Sequence, residues 1–348
     1  MRASRTRISL IAGIAVLSSL APGPASAASP RFKALGPITS PASVQPVVTD
    51  GGRFAALQPN GGISRIVDTQ RGRSYDVPTP GEGCSVTAAG AGQIVWSCPE
   101  ARGAIPILLD ARTRRLRRLP GVEAFLTEVE ALRSRYDGDP ASVRFAAVGR
   151  RWIEGRVEFT YQGSKTFSFY RTVHLDRLTG ERRSDAPGSA RSFPDLDRPG
   201  LTRRLCRPLS RTPGDNPSGN APAFEPFTFE SGVALDVDPS EPRLLLKRCG
   251  RRPLVLSRCR RSSGCYSEQL GAGVLTWAER RTAHAYGISS GHRRTLAPAA
   301  ARRGGPTTGC GPLAVAHTRT RVFVSVASGP PDTEARCGWR VYASRMPR

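Results

Sequence analysis

A small β unit recurs along this chain, and each copy opens with a tight turn followed by an apolar strand. Gly90-Ala91-Gly92-Gln93-Ile94-Val95-Trp96 matches Gly271-Ala272-Gly273-Val274-Leu275-Thr276-Trp277, and looser copies begin at Asp50, Gly149, Ser231 and Thr318. Glycine supplies the positive φ that short hairpins need, and β-branched or aromatic residues fill the strand that follows. A second hairpin ending in proline comes later in the units: Val67 to Pro78, Leu109 to Pro120, Leu175 to Pro187 and Gly287 to Pro298, with a degenerate copy from Lys247 to Pro253. Two hairpins per unit mean four strands per unit.

Four-stranded antiparallel units repeated every ~40–60 residues are the signature of a β-propeller, whose radial closure protects strand edges that a flat sheet exposes. The expected fold is all-β: a six-bladed propeller of four-stranded antiparallel blades. The sixth unit lacks a last strand, because the chain ends at Arg348 soon after Trp339-Arg340-Val341-Tyr342. Phe32-Lys33-Ala34-Leu35-Gly36-Pro37 resembles the outer strand Arg293-Arg294-Thr295-Leu296-Ala297-Pro298, so the N-terminal strand is expected to complete the last blade.

The hairpin Asp176-Arg177-Leu178-Thr179-Gly180 fits the Asp-x-x-Thr-Gly pattern, and through it the chain resembles exported TolB-type and quinoprotein-type repeat propellers. The tryptophan that docks quinoprotein blades does not follow each copy. The resemblance therefore implies the architecture and no cofactor.

Arg2, Arg5 and Arg7 precede an apolar run from Ile8 to Leu20, and Ala25-Ser26-Ala27 supplies a small-residue cleavage pattern. This reads as a signal peptide over residues 1–27, since the run is shorter than the ~20 residues that cross a bilayer. No lipid-accepting cysteine or arginine pair accompanies it. Residues 28–348 then form a single propeller domain, with insertions at about 121–142 and 188–224 and a helix on Phe125, Val129, Leu132 and Tyr136. The expectation is a soluble, secreted or extracytoplasmic monomer without a transmembrane anchor.

Export bears on the eight cysteines, which read as four disulfides because they meet an oxidising environment and no CxxC pair offers a metal site. Cys84 and Cys98 lie seven residues either side of Ala91, so folding that hairpin sets them opposite each other. Cys265 faces Glu279 in the same way and must pair elsewhere, most simply with Cys259. Cys310 with Cys337 and Cys206 with Cys249 follow by elimination, although spacing alone leaves these connectivities open.

Lys and Arg number 52 against 28 Asp and Glu, and the basic residues are arginine at all but Lys33, Lys165 and Lys247. Codon bias accounts for part of this, since Ala, Gly and Pro are abundant too. Distribution says more: from Pro242 onward only Glu268, Glu279, Asp332 and Glu334 oppose twenty basic residues. Arginines gather in the second hairpins, at Arg114 and Arg115, Arg251 and Arg252, and Arg293 and Arg294, with Arg260 and Arg261 in a cysteine-bounded loop. Hairpins of one kind share a face, so these residues are candidates to grip phosphate, against the alternative of a solvated charge bias. The long insertions fall on the opposite face, which is the candidate surface for a protein or glycan.

Catalytic signals are weak. Gly287-Ile288-Ser289-Ser290-Gly291 fits G-x-S-x-G but sits in a repeat hairpin rather than at a strand-to-helix turn. His174, His284, His292 and His317 have no neighbouring ligand or base pattern, and Glu154 with Glu158 and Asp195 with Asp197 read as solvated. Three functions are carried forward. The first is an exported non-catalytic propeller that binds a protein or glycan through its inserted loops. The second is an envelope protein that binds anionic polymers through arginine, and the third a lyase or hydrolase at a channel mouth.

Overall fold

The structure is a computed structural model that describes residues 31–41, 45–58, 62–136, 140–162, 166–184, 228–230, 233–238, 243–248, 251–258, 265–279, 282–296, 313–328 and 336–346. Strands follow one another in antiparallel order with one helix between the second and third groups. The first sheet holds β2 (Val47–Thr49), β3 (Phe54–Leu57), β4 (Ile63–Asp68) and β5 (Arg73–Pro78). The second holds β6 (Ser85–Gly90), β7 (Gln93–Glu100), β8 (Gly103–Asp110) and β9 (Arg115–Arg118). The third follows helix α1 (Val122–Tyr136) with β10 (Pro140–Val148), β11 (Trp152–Gln162), β12 (Thr166–Asp176) and β13 (Arg182–Ser184).

The fourth sheet holds β14 (Thr228–Glu230), β15 (Val233–Asp238), β16 (Arg243–Arg248) and β17 (Leu254–Arg258). The fifth holds β18 (Cys265–Gly271), β19 (Val274–Glu279), β20 (Thr282–Gly287) and β21 (Arg293–Leu296). The last holds β22 (Leu313–His317), β23 (Arg321–Ala327), β24 (Arg336–Arg345) and, at its edge, β1 (Lys33–Pro41), with Ala34 paired to Tyr342. First strands pack beside one another: β22 on β2, β2 on β6, β6 on β10, β14 on β18 and β18 on β22. Repeated four-stranded antiparallel sheets meeting through their first strands make this a β-propeller.

Local chemistry explains the repetition. Ala91 and Gly92 have φ of 51° and 77°, and Ala272 and Gly273 have 50° and 76°, so both turns are two-residue turns of the mirror type that matches strand twist. In the second hairpins, Asp68, Asp110 and Asp176 each end the third strand and accept backbone N–H groups two and three residues on. Gly72, Arg114 and Gly180 close those turns at φ of 68°, 61° and 75°. A further bond recurs between hairpins, from Thr69 N–H to Arg53 carbonyl, Ala111 to Gly92, Arg177 to Arg151 and Ile288 to Gly273.

The disulfide Cys84–Cys98 is formed, but its register needs a correction. The turn is Ala91-Gly92 rather than a fold centred on Ala91, so Gly90 pairs with Gln93 and unbroken pairing would set Cys84 against Pro99. A bulge between Val86 and Ala88 shifts the ladder by one residue and restores the cysteine pair. The fifth sheet repeats the device between Tyr266 and Gln269, which sets Cys265 opposite Glu279. Cys337 is also disulfide-bonded. Cys206, Cys249, Cys259 and Cys310 lie outside the described residues, as does the side chain of Cys265.

The core lies between sheets. Trp96 and Trp277 hold equivalent places in β7 and β19, and both are fully buried. Trp96 Nε1 donates to Ser64 Oγ of the preceding sheet at 3.1 Å. Helix α1 buries Phe125, Leu126 and Val129, and the Phe125 ring meets that of Phe145 at 5.4 Å. The chain returns to strand at Pro140, so the helical insertion ends slightly before residue 142.

Candidate functional site

In an antiparallel sheet the turns joining strands one to two and three to four share one end, so all these tight turns fall on one face of the molecule. Arg71, Arg112, Arg114 and Arg319 stand on such turns, and Arg251 and Arg252 lie immediately before β17; all are exposed. None of these six makes an ion pair among the described residues.

Four aspartates of this face are already engaged. Asp50 accepts the amides of Gly52, Arg53 and Phe54. Asp68 is bonded by Arg53 Nε at 2.9 Å, and that guanidinium, with the amides of Arg71 and Gln70, holds its carboxyl below the usual range despite burial. Burial opposes ionisation of Asp176 most strongly, but Arg151 and the amides of Leu178 and Thr179 outweigh it and hold its pKa low. Asp110 behaves alike, with the amides of Thr113 and Arg112 outweighing burial. These acids stay charged yet spend that charge on their own turns, and the six arginines are left to set the outward field.

The arginines expected to bind anions are spread over three sheets. Arg114 lies with its guanidinium carbon 4.3 Å from the centroid of the Tyr75 ring, whose phenol burial pushes up to about 12 and whose hydroxyl donates to the Ala111 carbonyl. Arg115 opens β9 and is exposed. Arg293 opens β21 and donates through Nη1 to the Leu256 carbonyl at 2.8 Å, so it ties the fifth sheet to the fourth. Arg294 follows it half-buried, and Arg260 and Arg261 lie outside the described residues.

A polar cluster at that same seam was not foreseen. Ser257 Oγ donates to Glu279, which lies 3.9 Å from His284 Nε2 and 4.0 Å from Arg293. The His284 ring stacks on Trp277 at 5.0 Å; burial first, then Arg293, push its pKa down to about 4, so it is neutral at pH 7. By register these four polar residues occupy the places that Val77, Cys98, Ile107 and Leu116 hold at the seam between the first and second sheets. The serine donates to the carboxylate and not to the imidazole, which is not the order of a nucleophile–base–orienter relay.

Two further polar groups are buried. Glu154, read from the sequence as solvated, is 4 % exposed and lies 3.6 Å from the equally buried His174 across β11 and β12. Its neighbours in the chain gave no sign of this, because burial is imposed by the adjoining structure. His317 is fully buried where three sheets meet. Its Nε2–H donates to the Gly271 carbonyl and its Nδ1 accepts from Thr276 Oγ1, both at 2.9 Å, while Gln269 Oε1 accepts its amide at 2.7 Å. Burial pushes its pKa down to about 4. No group of three or more metal-ligating side chains occurs among the described residues.

No protein-family model matches the sequence, and no curated protein is significantly similar to it. Solved structures do match. Regucalcin, a calcium-binding protein of Agrobacterium tumefaciens, is 11 % identical with a TM-score of 0.36, covering 92 % of this chain and 93 % of its own. TolB of Acinetobacter baumannii is 12 % identical with a TM-score of 0.32, covering 90 % and 67 %. Virginiamycin B lyase of Staphylococcus aureus, in a catalytically inactive form with quinupristin, is 9 % identical with a TM-score of 0.35, covering 91 % and 100 %. The propeller reading of this chain rests on its own sheet order. Among the described residues no helix is long and apolar enough to cross a membrane.

Proposed function

We propose that this chain is an exported, non-catalytic binding propeller of six blades in one domain, closed by β1 on β24, whose arginine-bearing turn face binds phosphate-bearing partners of the cell envelope. The observation that carries the reading is the division of labour among charges: Asp50, Asp68, Asp110 and Asp176 are bonded within their turns, while Arg71, Arg112, Arg251, Arg252 and Arg319 are exposed without a carboxylate. Guanidinium forks suit phosphate, and a field of one sign concentrates polyanions. Export is supported by the signal pattern and by disulfide use.

A second reading has its own support. The opposite end carries α1 and an extended ribbon, since β11 and β12 run to 11 residues each against 4 and 6 for β3 and β4. Ion pairs there are internal, as between Arg102 and Glu123 and between Arg118 and Glu100. That end would take a protein or glycan.

Binding of the cleaved, oxidised protein to immobilised polyphosphate as salt is raised tests the first reading. Affinity should fall linearly on a log–log plot, and replacing Arg251 and Arg252 by Ser should lower the slope. Binding that ignores salt, or that survives the double substitution unchanged, contradicts it.

A further inference from the structure

Among the described residues, the large apolar side chains left exposed are Leu35, Ile63, Leu116, Leu178, Leu254 and Val255. Four of these, all but Leu35 and Ile63, sit at or within two residues of second-hairpin turns of three consecutive sheets, on the face that carries the unpaired arginines. Leu178 is 68 % exposed at the tip of its turn. The turn does not need it: Asp176 accepts its amide, Gly180 provides the positive φ, and the equivalent place in the other hairpins holds Gln70, Arg112 and Ser289. Leu116 stands between Arg115 and Arg117, and Leu254 and Val255 follow Arg251 and Arg252 with only Pro253 between them.

We propose that this face docks on an anionic lipid bilayer, with the arginines on headgroup phosphates and Leu116, Leu178, Leu254 and Val255 entering the boundary between headgroups and acyl chains. The proposal rests on the anion-binding reading above and names its partner. Charge alone would serve a soluble polyanion, and leucine at a rigid tip adds nothing to that. A membrane surface takes both kinds of group together: guanidinium pairs with phosphate, and exposed leucine leaves water for the acyl boundary. Exposed apolar groups scattered at random would not gather beside the arginines of one face.

The test uses the cleaved, oxidised protein with phosphatidylcholine vesicles, the same vesicles containing phosphatidylglycerol, and inorganic polyphosphate. The expected result is sedimentation with the anionic vesicles only. Leu178→Ser should lower that partition about tenfold, as for one leucine losing its apolar transfer, and leave polyphosphate affinity unchanged. Replacing Arg251 and Arg252 by Ser should weaken both interactions. These positions are exposed, so the variants should keep the wild-type circular dichroism spectrum and melting temperature. Binding to polyphosphate without binding to anionic vesicles overturns the membrane proposal and leaves the anion reading standing; binding to neither overturns both. Vesicle binding undiminished in the combined Leu116→Ser, Leu178→Ser, Leu254→Ser variant also overturns the docking surface.

Discussion

The buried histidine at the junction of the first, fifth and last sheets makes stability depend on acid in a calculable way. His317 is neutral, donating from Nε2 to Gly271 and accepting at Nδ1 from Thr276, and its pKa is pushed from 6.5 to about 4. An unfolded chain titrates the same group near 6.5, so between these values the unfolded state binds a proton that the folded state refuses. Stability contributed by keeping it neutral is complete above the unfolded value and is lost as pH falls through the window. The gap of about 2.5 units corresponds to about 3 kcal/mol for this group, comparable to a sizeable share of a domain's total. Urea unfolding at pH 7 and pH 4.5, on the wild type and on His317→Gln, isolates it. The substitution should shrink the difference between the two pH values by about 2–3 kcal/mol, since carboxylates contribute equally to both proteins. An unchanged pH difference would refute the buried, neutral state of His317.

Other consequences follow from single contacts. Replacing Gly90 by Ala would set a Cβ 1.9 Å from the Val148 carbonyl oxygen across the seam between the second and third sheets; a loss of about 3 kcal/mol or more is expected in chemical denaturation. Ser64→Ala removes the acceptor of the buried Trp96 indole and should cost about 1–3 kcal/mol, read by the same assay with tryptophan fluorescence. Replacing Cys84 and Cys98 together by Ala opens a crosslink with a sequence separation of 14 and should cost about 3 kcal/mol.

What the sequence made legible was what backbone chemistry writes locally. Gly92 and Gly273 mark turns that need positive φ, and Asp68, Asp110 and Asp176 mark the hairpins they cap, so unit boundaries and strand order could be read directly. The likeness of residues 32–37 to an outer strand anticipated the edge position that β1 takes beside β24. The bulge between Val86 and Ala88 was not legible, because no residue type there demands it; the turn and the cysteine pair together impose it. Nor was the cluster of Ser257, Glu279, His284 and Arg293, whose members belong to two sheets brought together only by packing. Glu154 was misread for the same reason. The candidate arginines were visible as residues, but that Arg114, Arg115, Arg251 and Arg252 face no carboxylate among the described residues while Arg293 lies beside Glu279 depended on seeing where each acid spends its charge.

Everything above depends on the N-terminal strand completing the last sheet, and a pair of introduced cysteines tests that most directly. Pro37 and Arg340 are exposed partners across β1 and β24, and paired positions of an antiparallel ladder stand about 4.5–5.5 Å apart between Cα atoms, inside the ~4.4–6.8 Å that a disulfide spans. The Pro37→Cys, Arg340→Cys protein should yield, on digestion without reductant, a peptide that joins the two positions. Two separate, alkylatable thiols in a folded protein would contradict the closure and the assignment of faces built on it.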